Sequence, residues 1–110
     1  MIKYAARFLI IFIAPAAYGG LVIMITKSVT ITNQVGLHAR PATFFIQKAN
    51  EFRSSIWVEK DDRKVNAKSL LGVLSLGIVC DTEINLIADG ADEQEAVDML
   101  SELVNSRFEE

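Results

Sequence analysis

Between Ser28 and Val104 the apolar residues switch repeatedly from a spacing of two to a spacing near 3.6 and back. Side chains alternate across a strand and recur every three or four positions on a helix face, so this switching limits the chain to a mixed fold of short elements. Ser28 to Thr32 alternates polar with apolar, which predicts a strand with Val29 and Ile31 facing a core. The loop Asn33 to Leu37 follows. From Ala39 the pattern is helical: Ala42, Phe45, Ile46 and Ala49 form one stripe that Phe52 continues, with Arg40, Gln47 and Lys48 off it. Pro41 is tolerable there because the first helical turn has no intrahelical use for its backbone N–H groups.

Ser55 to Lys60 reads as a second strand, with Ile56 and Val58 on one face and Trp57 and Glu59 on the other. Asp61-Asp62 turns it into a short third strand, Arg63 to Asn66. Ser69 is a suitable N-cap for the apolar segment that starts at Leu70, and Gly77 suits its C-terminal end, while Gly72 fits close packing within it. Glu83 to Ala88 is a fourth strand. Asp92 and Glu95 then have the spacing of a capping box ahead of a stripe of Ala96, Met99, Leu100, Leu103 and Val104. The order β-α-β-β-α-β-α predicts an α+β open-faced sandwich, a four-stranded and mainly antiparallel sheet with three helices on one face.

A chain of 110 residues that is 51% hydrophobic has the size and composition of one globular domain. Its net charge of -3 argues against direct binding of nucleic acid, which needs clustered cations. The only cysteine, Cys80, has no disulfide partner and no activating base in sequence, and one histidine is too few for a zinc site made by the protein. Neither a metal nor a cofactor is expected.

Residues 1–23 form a separate apolar extension. They contain Lys3 and Arg7 but no acid, and no charged side chain occurs from Phe8 to Thr26. An export signal fits loosely, with a basic start, an apolar run and small residues around Ala14 and Ala16. A membrane anchor is nearly long enough but is weakened by Pro15 and Gly19-Gly20. A structured extension is a further possibility. The reading favoured is that translation starts at Met24, since Gly19-Gly20 can be encoded as a ribosome-binding GGAGG at a suitable distance. The working domain is then residues 24–110.

His38 is the residue most able to carry chemistry. It lies between Gly36 and the start of a helix, where free N–H groups and the helix dipole favour anions. Arg40 can add charge-assisted hydrogen bonds to phosphate oxygens, and a neutral imidazole nitrogen is a nucleophile at cell pH. A lone histidine at a helix start is more often a cap or surface group. With no second histidine or neighbouring acid to complete a triad, reversible phosphoryl binding fits better than hydrolysis.

Three segments in register, LHARPA from Leu37, KSLLGVLSLGI from Lys68 and ADGADEQEA from Ala88, resemble HPr, the histidine-containing phosphocarrier of the bacterial phosphoenolpyruvate-dependent sugar phosphotransferase system. The resemblance runs from about Met24 to Arg107. It implies that His38 accepts phosphate on Nδ1 from phosphorylated Enzyme I and passes it to the IIA components of sugar permeases, with Arg40 holding the phosphoryl group. It also implies that Ser69 is modified by HPr kinase/phosphorylase. A phosphate there adds about -1.5 to -2 charge at a helix start. That charge is expected to weaken docking to Enzyme I and favour catabolite control protein A. Leu70, Leu71 and Leu74 are too many apolar residues for so short a helix to bury, and the resemblance makes them partner-docking contacts.

The implied protein is a cytoplasmic carrier, a phosphorylated intermediate and not a turnover enzyme, and a monomer is expected. Two alternatives from other classes are a regulatory, HPr-like corepressor module working through phosphorylated Ser69, and a ferredoxin-like domain that binds a small ligand. The extension has no counterpart in the resemblance, and a cleaved export signal would separate the carrier from cytoplasmic phosphoenolpyruvate.

Overall fold

A computed structural model describes the backbone of residues 9–15 and 21–109 and the side chains of residues 24–108. Five strands, β1 (Leu9–Pro15), β2 (Leu21–Thr30), β3 (Ser55–Lys60), β4 (Arg63–Asn66) and β5 (Glu83–Asp89), form one sheet in the order β1-β2-β5-β3-β4. Every pairing is antiparallel. Helices α1 (Arg40–Ala49), α2 (Leu70–Ser75) and α3 (Glu93–Asn105) complete the fold, with a 3-10 turn at Arg107–Glu109. The four strands and three helices read from the pattern are all present. A fifth strand joins them at the edge, because the apolar run around Phe12 pairs with a β2 that begins at Leu21 and not near Ser28. The alternatives raised for residues 1–23 fall in part on residues 1–8 and 16–20, which lie outside the described residues.

Alternation places the core on the helix side of the sheet. Val29, Ile56, Val58, Ile84 and Leu86 are buried to 1% exposure or less, and the α1 stripe (Ala42, Phe45, Ala49) and α3 stripe (Ala96, Leu100, Val104) are buried against them. Each Val, Ile, Leu or Phe among them contributes roughly 1.5–3 kcal/mol when taken fully out of water. The opposite sheet face carries Ser28, Asn85, Glu59 and Lys64 in one cross-strand row. The Ser28 hydroxyl donates to Glu83 at 2.7 Å, and the Asn85 amide donates to Glu59 at 3.2 Å. Trp57 is half-buried on this face with the Lys64 ammonium 5.2 Å from its ring centroid, a cation–π contact.

The α2 cap forms as the residue types dictate. The Ser69 hydroxyl accepts from the Gly72 N–H at 3.0 Å, which is worth about 1 kcal/mol in a typical helix. Gly77, just beyond the last helical residues, has φ +60 and donates its N–H to the Leu74 carbonyl at 3.2 Å.

The expected capping box at α3 is not made. Asp92 occupies the N-cap position, but its carboxylate makes no side-chain cap bond. Its oxygens accept from the Arg53 N–H at 2.9 Å, the Ser54 N–H at 2.9 Å and the Ser54 hydroxyl. Asp92 therefore ties the start of α3 to the loop between α1 and β3. Glu93 closes the turn instead, accepting the Gly90 N–H at 2.9 Å.

The Ser54 hydroxyl, followed by the Arg53 N–H, stabilises the Asp92 carboxylate and lowers its pKa from 3.8 to about 2. A carboxyl whose folded pKa lies below its unfolded value contributes stability that is complete above the unfolded pKa and is lost as pH falls through the folded one. The denaturant midpoint of the wild type should therefore fall more steeply than that of Asp92→Asn between about pH 4 and pH 2. Parallel midpoint curves for the two proteins would show that these bonds do not couple to folding.

Candidate functional site

The segment ahead of α1 is fastened from both sides before it reaches His38. The Ile31 N–H donates to the Thr82 carbonyl at 2.8 Å, and the Ile31 carbonyl accepts from the Asp81 N–H at 2.6 Å. Asn33, fully buried, donates its side-chain amide to the Gly36 carbonyl at 2.9 Å, and the Gly36 N–H returns to the Asn33 carbonyl at 3.2 Å. Gly36 has φ +70, and a Cβ there would stand 2.3 Å from the Ile78 carbonyl oxygen. Only glycine combines that conformation with that close approach. The approach lets the Leu37 N–H donate to the Ile78 carbonyl at 3.1 Å, while the Leu37 side chain is buried to 2% exposure.

His38 is exposed immediately after this anchor. Ala39, the N-cap residue of α1, then adopts φ 56 and ψ -129. Glycine takes this region freely, but a side-chain-bearing residue is held there only at a cost of order 1–3 kcal/mol. The Ala39 carbonyl accepts the Thr43 N–H at 3.2 Å and the Thr43 hydroxyl at 3.4 Å, so the kink passes directly into the helix. In the first turn, Arg40 and Ala42 carry N–H groups with no acceptor four residues back in the helix, and Pro41 has none to satisfy. An anion near the His38 ring would meet those N–H groups and the positive end of the α1 dipole.

Arg40 is exposed, with its guanidinium carbon 5.3 Å from the Phe44 ring centroid one turn on. The ring holds the cation beside the helix start without using its N–H donors. Ala39, Arg40, Pro41 and Phe44 line one wall of a groove of about 780 Å³, which Leu103 and Phe108 help to close.

The structure brings His38 and Arg40 to one helix start and sets Ser69 apart from them. Asn50, the C-cap of α1, donates its side-chain amide to the Lys68 carbonyl at 3.3 Å, and the Lys68 ammonium reaches the Phe52 carbonyl at 2.7 Å. Ser69 is thereby held near the far end of α1, roughly 15 Å from its first turn by the rise of a ten-residue helix. Leu71 is 80% and Leu70 37% exposed, whereas Leu74 is half-buried and packs against the core. None of the three lines the groove beside Arg40. The pattern left Asn33, Ala39 and Phe44 out of the site. Asn33 followed by Gly36 is a legible loop signal, and Arg40 to Phe44 is a legible i, i+4 pair. Nothing in an alanine announces a positive φ.

Residues 25–106 match the family model of the phosphotransferase-system HPr component phosphorylation site. The chain belongs to the HPr family. The phosphocarrier protein HPr of Neisseria meningitidis is 45% identical over 87 residues, covering 79% of this chain and 98% of that protein. The HPr-like protein Crh of Bacillus subtilis is 48% identical over 81 residues, covering 74% and 95%. A crystal structure of HPr from Thermoanaerobacter tengcongensis superposes with a TM-score of 0.76 at 49% identity, covering 77% of this chain and 96% of that one.

The family is one of phosphocarriers of the phosphotransferase system, which are phosphorylated intermediates and not turnover enzymes. Its members among these relatives include both HPr and Crh, and Crh has been solved as a domain-swapped dimer with a TM-score of 0.62. A monomer therefore does not follow from membership. Among the described residues no helix is long and apolar enough to cross a membrane.

The conformation of Ala39 has a direct test. Ala39→Gly relieves the left-handed strain but adds freedom to the unfolded chain, for a net gain of about 1 kcal/mol. The urea midpoint should rise. A lower midpoint would mean that Ala39 is not strained at this joint.

Proposed function

We propose that the chain is a phosphoryl carrier in which His38 accepts a phosphoryl group from phosphorylated Enzyme I and delivers it to IIA components of sugar permeases in the cytoplasm. The observation that carries this reading is the exposed imidazole of His38, set between the buried anchor Leu37 and the strained start of α1. In the acceptor half, Nδ1 forms a bond to phosphorus as the donor's bond to phosphorus breaks in line with it. The phosphoryl oxygens take up charge-assisted bonds from Arg40 and the first-turn N–H groups. In the delivery half the same transfer runs onward to the next nucleophile. Positioning and charge stabilisation supply most of the catalysis in such transfers.

Regulation is assigned to Ser69, through HPr kinase/phosphorylase and catabolite control protein A. Its separation from His38 by the length of α1 implies that a phosphate there acts on docking and not on the transfer geometry. Leu70 and Leu71 supply the exposed apolar contacts and Leu74 supports them from the core side. The carrier domain is residues 24–110, and residues 1–23 are an extension attached to it. A second reading, a regulatory module acting through phosphorylated Ser69, is favoured by the 48% identity to Crh, whose solution structure bears the name catabolite repression HPr.

Intact-mass measurement after incubation with Enzyme I and phosphoenolpyruvate separates the two. The carrier reading predicts one added, acid-labile phosphoryl group on the wild type and none on His38→Ala, with sugar phosphorylation lost in that variant. Sugar phosphorylation that survives His38→Ala would move the function to the regulatory module.

A further inference from the structure

The two edges of the sheet are built differently. At one edge β4 is four residues long, carries Arg63 and Lys64, and follows the acidic turn Asp61-Asp62. Short strands and charges of this kind prevent an edge from recruiting another chain. At the other edge β1 is seven residues long and reads Leu-Ile-Ile-Phe-Ile-Ala-Pro, with no charge. Its pairing with β2 runs without a bulge from Leu9 opposite Lys27 to Pro15 opposite Leu21. Among the described residues no strand lies beside the outer backbone groups of β1. The β2–β5 ladder begins only at Ile25 opposite Ala88, so residues 21–24 are paired on the β1 side alone and the apolar hairpin overhangs the sheet.

We propose that β1 is a homodimerisation edge, pairing antiparallel with β1 of a second copy of this chain. An uncharged edge is complementary to itself, so a two-fold arrangement brings no like charges together. The register with the longest overlap centres on Phe12, placing Phe12 of one copy opposite Phe12 of the other and joining two five-stranded sheets into one. A lipid bilayer is a worse occupant, because a hairpin with an open edge would leave backbone N–H and C=O groups unpaired in hydrocarbon. β1 lies along β2 only as far as Lys27, whereas His38 follows the opposite end of β2 beyond Thr30. His38 is not part of the paired edge, and the pairing stands or falls separately from the carrier reading.

The test uses residues 1–110 throughout. Sedimentation equilibrium of the wild type should give twice the 12.2 kDa chain mass, and Phe12→Lys, which adds one positive charge from each copy at the central register position, should give the single mass with unchanged circular dichroism. Phe12→Cys in a Cys80→Ser background should oxidise to a covalent dimer. Phosphoryl uptake per chain should be equal in the wild type and Phe12→Lys. A wild type that sediments at the single mass overturns the proposal, as does a dimer that persists in Phe12→Lys and fails to cross-link through Cys introduced at position 12. A monomeric wild type that co-sediments with phosphatidylcholine/phosphatidylglycerol vesicles would assign the hairpin to lipid instead.

Discussion

The bond from the Leu37 N–H to the Ile78 carbonyl is the constraint from which the site geometry follows. It closes only because Gly36 has no Cβ to strike that carbonyl, and it seats the Leu37 side chain in the core. The next residue is then carried outward, and the chain must turn within Ala39 to enter α1. The cost of that turn is paid by packing on either side of it: the Leu37 anchor before, and the buried Pro41, Ala42 and Phe45 after. A reactive side chain held between two fixed points loses little orientational freedom when it meets a partner, which is how preorganisation lowers the barrier to group transfer.

A similar division of labour appears at the opposite end of α1. Asp92 reaches across from α3 to the Arg53 and Ser54 N–H groups, and Lys68 and Asn50 fasten the approach to α2. Through these contacts α1 is held at both ends, so its N-terminus does not drift relative to the sheet. Ser69 shares this framework without sharing the His38 site. One small domain thereby keeps apart the two residues to which the proposal assigns transfer and modification.

How much of this was legible in the sequence depends on how local the deciding interaction is. The Ser69 cap was legible because its partner, Gly72, is three residues away. The core strands were legible because alternation records which face is buried, as Ile56 and Val58 against Trp57 and Glu59 show. Asp92 has the same local pattern as a cap, yet its carboxylate is taken by N–H groups 38 and 39 residues earlier, which no local rule can weigh. β1 was missed because an unbroken apolar run has no period to separate strand from helix or signal. That His38 and Arg40 stand at a helix start could be read from residue type and position, while the left-handed Ala39 could not, because tertiary anchoring and not alanine's own preference sets it.

The central claim is that this joint presents the His38 ring nitrogen to phosphorus. Long-range ¹H–¹⁵N spectra of the His38 ring, recorded with catalytic Enzyme I before and after phosphoenolpyruvate is added, test it most directly. The account predicts that the Nδ1 resonance shifts to that of a phosphorylated nitrogen while Nε2 does not become the substituted atom. A ring spectrum that stays unchanged while Enzyme I itself is phosphorylated would contradict it.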